Sequence, residues 1–354
     1  MVRHMEEVSR QADAAKQARL EAARAQTVKP AAILVTGAGG FVGRPLVQRL
    51  AATGQAIRVL LRRPAAWLDQ FPNVSAVFGD LGDPEAVDRA VAGVQTVYHV
   101  GAAMRGGKEE FERGTVWGTR NVIESCLRHK TARLVYVSSL TVLDQAGYPT
   151  GTPVTERARL EPFPERRGLY TQTKLTAEND VLEAVRSKGL PAVIVRPGQI
   201  FGPGAERVSP AGSIGLGGRW TVVGNGQHLL PLVYVDDVVD GLLAAAAAGP
   251  EANGQVVHLV DPAPITQNEF VARAQQSIPS LKAGRMPRWF MMSVAHVIEL
   301  LGGLLKREMP LSRYRVASLK PPYPFDVSAA GHTLGWKPRV GTRAGLDQTY
   351  PVKT

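Results

Sequence analysis

The sequence predicts an α/β fold, a doubly wound parallel sheet with a smaller C-terminal lobe, and three observations carry that expectation. A short apolar run from Ala31 to Gly43, AAILVTGAGGFVG, ends in three glycines spaced three apart. From residue 31 onward, runs with strand character alternate with runs of helical period, the order that builds parallel sheets with right-handed crossovers. Two long irregular inserts, Asp144 to Gly168 and Gly202 to Leu230, each follow the carboxyl end of a strand pattern, where such sheets bind ligands.

Taken in order, residues 1–28 are rich in Ala, Gln, Arg and Glu with almost nothing large and apolar. They read as a helix-prone polar tail, solvated or left from a partner-binding segment, and lack the apolar core of a secretion signal. Ile33, Leu34 and Val35 are aliphatic without alternation, which suits a strand buried on both faces. Gly37 then permits a tight turn and Gly40 lets backbone N–H groups approach a pyrophosphate. Gly43 allows the next helix, GRPLVQRLAATG, to pack closely on the strand. With Phe41 and Val42 between them, these residues form the expected cradle of a dinucleotide cofactor, whose diphosphate would sit on the helix N-terminal amides.

Further strands are expected at Ala56–Leu61, Val74–Phe78, Val94–Val100, Leu134–Val137, Ala192–Val195 and Gln255–Val260. Helices are expected at Pro84–Val91, Gly114–His129, Tyr170–Lys188 and Asp236–Ala248. The resulting domain plan is a tail over 1–28, a dinucleotide-binding Rossmann core over 29–200, and mainly a substrate lobe over 201–354. Residues 231–260 return to the core.

Composition narrows the function. Hydrophobic residues at 44% and charged residues at 21% fit an ordinary soluble globule. The single cysteine, Cys126, excludes an intrachain disulfide and points to a reducing, cytoplasmic interior, with a buried structural thiol as its expected role. No cysteine and histidine spacing resembles a metal site, so no metal is expected. The net charge of +11 comes from scattered basic residues without a nucleic-acid motif, so nucleic acid is not an expected partner. The charge instead suits an anionic cofactor, an acidic small-molecule substrate or lipid headgroups.

Cofactor choice turns on the end of the second strand, Leu60-Leu61-Arg62-Arg63, where NAD-specific folds place an acid for the ribose 2′-hydroxyl. No carboxylate is there. Arg62 and Arg63 can pair with a 2′-phosphate, so NADP is expected in preference to NAD. Asp80 and Leu81, after the third strand, are placed to border the adenine. His99 to Ala103, including Gly101 and Ala102, would line the pyrophosphate and ribose.

The candidate chemistry lies in YTQTK, where Tyr170 and Lys174 are four apart on a helical stretch and share one face. An ammonium there would lower the phenol's pKa and let Tyr170 act as acid or base. Ser139 ends the fifth strand, and its hydroxyl would hydrogen-bond the reacting oxygen.

With these motifs in view, the chain resembles the extended short-chain dehydrogenase/reductase family over roughly residues 31–350. The match runs through TGAGGFVG, GDL at 79–81, YHVGA at 98–102 and VSSLTVLD at 137–144. It continues through Tyr170-Thr-Gln-Thr-Lys174, RPGQIFGPG at 196–204, YVDDVVDG at 234–241 and LGWKP at 334–338. The resemblance implies Tyr170 as acid/base, Lys174 on the nicotinamide ribose, Ser139 orienting the carbonyl or hydroxyl, and Pro197 and Gly198 bordering the nicotinamide. One departure stands out: Thr115 occupies a position where relatives commonly carry an asparagine that supports the lysine through water.

RPGQIFGPG resembles the 3β-hydroxysteroid dehydrogenase branch, and Gln199 stands where many nucleotide-sugar enzymes place an asparagine for the substrate diphosphate. The expected reaction is therefore hydride transfer between a nicotinamide cofactor and a secondary alcohol or ketone on a hydrophobic, sterol-like or acyl, substrate. The alternatives are a nucleotide-sugar epimerase, dehydratase or reductase, with Arg207, Arg219, Arg285 and Arg288 as diphosphate contacts, and a non-catalytic NADP-binding sensor.

The run Trp289 to Leu305, flanked by Arg285, Arg288, Lys306 and Arg307, is too short to span a bilayer. It reads either as a helix in the membrane interface, a peripheral contact, or as a lobe helix packed over the cleft with its methionines on the ligand. A homodimer is also compatible with the sequence.

Overall fold

A computed structural model of the chain describes residues 31–149, 151–305, 311–320 and 323–351. The polar segment 1–28 and the basic pair Lys306 and Arg307 lie outside the described residues.

Six strands come first: β1 (Ile33–Thr36), β2 (Ile57–Leu61), β3 (Val74–Phe78), β4 (Thr96–His99), β5 (Arg133–Val137) and β6 (Ala192–Pro197). Six more follow: β7 (Gln199–Phe201), β8 (Ser213–Leu216), β9 (Arg219–Val223), β10 (Leu232–Tyr234), β11 (Val256–Leu259) and β12 (Lys282–Met286). Seven of them form a parallel sheet in the order β11-β6-β5-β4-β1-β2-β3. In register, Ile33 of β1 faces Ile57 of β2 on one side and Thr96 of β4 on the other. The chain order reverses at β1 and β4, the switch point at which open α/β sheets take their ligands.

The described residues fall into two compact units. One runs to Leu134 and adds Ser187–Leu190; the other holds Val135–Arg186 and everything from Pro191 onward.

In the first unit, β1 is buried along its whole length, as its unbroken aliphatic run dictates. Helix α1 (Gly43–Ala51) buries Leu46, Val47 and Leu50, each worth roughly 1.5–3 kcal/mol of apolar burial. Helix α2 (Pro84–Val91) is started by Asp83, whose carboxylate accepts from the backbone N–H groups of Glu85 and Ala86, with Pro84 at its first position. Its far end is satisfied by the buried Arg58 of β2, which donates to the Ala90 and Ala92 carbonyls at 2.8 Å. Helix α3 (Gly118–Arg128) does not begin at Gly114 as the periodicity suggested. It follows a short turn, Lys108–Phe111, and a π-helical turn, Glu112–Trp117.

In the second unit, α4 (Leu169–Lys188) carries the YTQTK stretch. Helix α5 (Val235–Ala247) follows β10, which pairs with β7. The Gly202–Leu230 insert is partly ordered as β8 and β9, which join β12 in a three-stranded sheet. The Asp144–Gly168 insert is pinned by bridges of Leu143 to Leu160 and of Val154 to Phe325, over an apolar cluster of Leu140, Val142, Leu143, Val154 and Leu175. A single helical turn, Pro164–Arg167, closes that insert, and α6 (Gln267–Ser277), α7 (Arg288–Leu305), α8 (Arg313–Ala317), α9 (Ser328–Leu334) and α10 (Gly341–Thr349) follow.

Candidate active site

The glycine turn of the first unit has the geometry that a dinucleotide cradle needs. Gly37 has φ +69°, and a Cβ there would lie 2.7 Å from the Gly101 backbone; one on Gly43 would lie 2.1 Å from the Gly37 carbonyl oxygen. Only glycine lets these segments approach so closely. Gly40 donates to the Gly37 carbonyl at 2.9 Å and is itself exposed, so backbone is presented where a side chain would otherwise stand. Helix α1 starts here without a side-chain cap; the Arg44 N–H is taken by the Gly40 carbonyl at 3.0 Å and Pro45 has none, so of its first three residues Gly43 is the one whose amide faces the turn unclaimed by these bonds. Phe41 is half-buried and Val42 buried beside it. The residues present therefore fit a dinucleotide.

The turn is held from below by a hydrogen-bonded chain through His99, which the sequence reading had set along the pyrophosphate and ribose but the structure buries beneath the turn. Gly101 N–H donates to Thr36 Oγ1 at 3.2 Å, Thr36 Oγ1 lies 2.7 Å from His99 Nδ1, and His99 Nε2 lies 3.0 Å from Thr119 Oγ1. His99 is fully buried, and its two ring nitrogens tie β1, β4 and α3 together. Thr36 and His99 close strands after apolar residues, whereas Thr119 sits among polar residues of α3 and carried no signal.

Around this turn, Leu81 packs so closely on Gly101 that a Cβ there would lie 2.8 Å from its Cδ1. Ala102 is half-buried. Asp80 is engaged by Gly82 N–H at 2.9 Å and Arg113 Nε at 3.1 Å. Arg62 and Arg63 follow β2, both exposed, with no carboxylate in the next residues. Thr115 lies within the π turn, and its buried hydroxyl accepts from Ala103 N–H at 3.0 Å. Cys126 is buried, and burial pushes its thiol up to about 12, which keeps it inert.

The second unit brings Ser139, Tyr170 and Lys174 together. Ser139 stands just past β5 and caps the turn Leu140–Val142, accepting from Thr141 N–H at 3.2 Å. Its hydroxyl also accepts from the Thr141 hydroxyl at 3.1 Å, and it favours the ionised form of the Tyr170 phenol on α4. Lys174 is buried, with Nζ donating to the Val137 carbonyl at 2.5 Å and lying 4.7 Å from the Tyr136 ring centre. Burial brings its ammonium down to about 8, against the pull of Glu178. Sequence spacing suggested that Lys174 would lower the Tyr170 phenol. In the structure burial raises it, the Ser139 hydroxyl opposes that rise, and the Lys174 side chain extends to the β5 carbonyl.

Pro197 ends β6, and Gly198 follows with its N–H on the Leu259 carbonyl at 2.9 Å; a Cβ there would lie 2.2 Å from the Pro231 carbonyl oxygen.

Residues 33–259 match the NAD dependent epimerase/dehydratase family. The chain belongs to that family. It is an NAD(P)-dependent extended short-chain dehydrogenase/reductase, an enzyme acting on hydroxyl and keto groups. A 2-alkyl-3-oxoalkanoate reductase of Stenotrophomonas maltophilia (strain K279a) is 32% identical, over 89% of this chain and 97% of its own length. A 3-beta-hydroxysteroid dehydrogenase of Mycolicibacterium neoaurum is 28% identical, with 91% of each covered. The crystal structure of gox2253 superposes with a TM-score of 0.75 at 27% identity, over 90% of this chain and 96% of that one.

Several family motifs gain structural reasons in this member. Asp237 of YVDD is buried and accepts from the N–H groups of Arg339, Val340 and Gly341, capping α10, while Trp336 of LGWKP donates to the Asp237 carbonyl. Gln199 spends both ends of its amide on the 202–230 insert, donating to the Ser209 carbonyl at 2.9 Å and accepting from Ala211 N–H at 2.6 Å. Among the candidate diphosphate arginines, Arg285 pairs with Asn268 and Arg288 with the Ala317 carbonyl. Arg207 and Arg219 border a cavity of about 390 Å³ in that insert, with Val208, Leu216, Trp220 and Leu281; Ser139, Tyr170 and Lys174 are not part of its lining.

Helix α7 resolves one sequence alternative in part. Met291 is buried against Val223, Ala295 and Val316, with Met286 and Met292 packed around them, so the methionines build the lobe. Trp289, Phe290, Val297, Leu300 and Leu301 are exposed. Among the described residues no helix is long and apolar enough to cross a membrane, and no cluster of His, Cys, Asp and Glu suited to a metal ion is present.

Proposed function

We propose that this enzyme is an NADP(H)-preferring ketoreductase that converts the ketone of a hydrophobic substrate, acyl or sterol-like, to a secondary alcohol, and the reverse. The observation that carries the reading is the convergence on the end of β5: Ser139 follows that strand, Lys174 is anchored to the Val137 carbonyl at 2.5 Å, and Tyr170 stands one helical turn before Lys174 on α4. Burial keeps the phenol protonated at neutral pH, the state required to give a proton to a ketone oxygen. Ser139 donates to the same oxygen as it becomes an alkoxide. Lys174, a cation below pH about 8, favours negative charge developing on Tyr170 oxygen. The bound nicotinamide supplies the hydride chemistry. Gly37, Gly40, Phe41, Val42 and Gly43 would hold the diphosphate, Gly101 and Ala102 the adjoining ribose side, and Asp80 and Leu81 the adenine edge. Lys174, Pro197 and Gly198 would hold the nicotinamide ribose and ring.

The preference for NADP(H) rests on Arg62 and Arg63, exposed at the end of β2 with no acid beside them. The substrate class is supported by the reductase and sterol dehydrogenase relatives, and by Gln199, whose amide is already committed to backbone. Replacing Tyr170 with Phe tests the reading: turnover should fall on the order of 10²–10⁴-fold with NADPH affinity nearly unchanged. Full activity in that variant would mean that another group moves the proton.

We further propose that the exposed face of α7 makes a peripheral contact with an anionic membrane. Trp289, 71% exposed, and Phe290 stack edge-on at 5.8 Å at its start, Val297, Leu300 and Leu301 extend the apolar surface, and Arg285 and Arg288 precede it. Delivery from a bilayer suits an apolar substrate.

A further inference from the structure

Lys174 carries its charge into a place that water hardly reaches, with 3% of its surface exposed. A carbonyl and an aromatic face receive the ammonium, but neither is a counter-ion. The titratable and charged groups around it are Tyr136 from β5, Tyr170 and Glu178 from its own helix, and Arg196 from β6; Glu156 and His258 stand beyond Arg196. Burial raises the Glu156 carboxyl above the usual carboxylate range and brings His258 down to about 3, so His258 is neutral near pH 7.

The carboxylate on the same helix face is Glu178, one helical turn on from Lys174 and fully buried. Arg196, 2% exposed, grips that carboxylate with its fork, Nε to Oε2 at 3.0 Å and Nη2 to Oε1 at 2.5 Å. Its remaining Nη1 donates to the Glu156 carbonyl at 3.1 Å. Taking two such ions out of water largely offsets their attraction, so stability alone is a poor reason for the pair.

We propose that Glu178 and Arg196 are the positioning pair of the reaction: Arg196 fixes the Glu178 carboxylate, and that carboxylate is the counter-charge that keeps Lys174 a cation against β5. The inference rests on the role given above to Tyr170 and Lys174, and the pair acts only through Lys174. The field of Glu178 is what opposes the downward push of burial on the ammonium.

Two variants move Lys174 in opposite directions. Glu178→Gln combined with Arg196→Met removes both members of the pair, so neither is left buried without the other, and the Lys174 titration should fall by about one pH unit or more. Arg196→Met alone frees the Glu178 carboxylate from its guanidinium partner while leaving its charge acting on Lys174, and the titration should rise. Two readouts follow it: ¹³Cε NMR of lysine-labelled protein without substrate, assigned with Lys174→Arg, and the high-pH limb of kcat/KM for ketone reduction. Shifts of the predicted sign in both support the proposal. An NMR shift with an unmoved kinetic limb supports the pair's hold on Lys174 and overturns the role of Lys174 in turnover. A double variant that keeps the native circular dichroism spectrum and an unshifted Lys174 titration overturns the proposal.

Discussion

His258 on β11 sets a pH dependence of stability whose size follows from its surroundings. The ring is fully buried and meets Phe325 edge-on, with centroids 5.5 Å apart. Burial first, and the nearby Arg196 second, disfavour the imidazolium and take its pKa to about 3. Glu156 Oε1 lies 3.8 Å from Nδ1, a distance compatible with an ion pair, but that oxygen already accepts from the His258 backbone N–H at 3.0 Å. The neutral ring is therefore the form the fold holds. Because the folded pKa lies below the unfolded value of about 6.5, the unfolded chain binds the proton first. The contribution is fully present above pH about 6.5 and is lost as pH falls toward 3. Between pH 7.5 and 4.5 the loss comes to about 2–3 kcal/mol. Urea unfolding followed by tryptophan fluorescence at both pH values, on the natural protein and on His258→Gln, isolates it. The variant should lose about 2–3 kcal/mol less over that interval. Parallel pH dependence in the two proteins would refute the reasoning.

Three further outcomes follow. Arg62→Asp should weaken NADPH binding by roughly 10-fold or more, from the loss of a charge-assisted contact, while NADH binding changes less; fluorescence titration showing equal affinities for both cofactors in the unaltered protein would defeat the claimed preference. Gly37→Ala forces a Cβ at φ +69° to within 2.7 Å of the Gly101 backbone, so cofactor affinity should fall at least 10-fold with a loss of about 1–3 kcal/mol in stability; calorimetric titration with unchanged affinity would remove the turn from the cofactor site. Trp289→Ser with Phe290→Ser should abolish sedimentation with anionic liposomes at low salt, whereas no sedimentation of the natural protein at any salt, or a stable dimer that covers this face, would reject membrane contact.

The features legible in the sequence are those that constrain backbone directly. Gly37 and Gly43 have no room for a Cβ, and the unbroken run Ile33–Val35 has no polar face, so turn and strand could be read from residue type alone. The small sheet was not legible because Ser213–Leu216 and Lys282–Met286 carry glycine and charge without alternation; their pairing is set by β9 between them. The early start of the helical region before α3 was missed because a π turn shifts the period that a regular helix would show. At the site, spacing placed Tyr170 and Lys174 on one face, but the direction of the phenol's shift depended on burial, which spacing does not carry. The Glu178–Arg196 pair joins α4 to β6 across 18 positions of sequence, and only the fold reveals it.

The central claim is hydride transfer from a nicotinamide cofactor to the ketone carbon of a hydrophobic substrate, and isotope tracing tests it most directly. The protein would be incubated with NADPH carrying deuterium at both C4 positions of the nicotinamide and, in separate reactions, a long-chain 2-alkyl-3-oxoalkanoate or a 3-ketosteroid, with products read by mass spectrometry. The account predicts an alcohol one mass unit heavier than that from unlabelled NADPH, the deuterium on the carbinol carbon, and little product from Tyr170→Phe. Unlabelled alcohol, or no alcohol from either ketone alongside turnover of a sugar nucleotide, would contradict it.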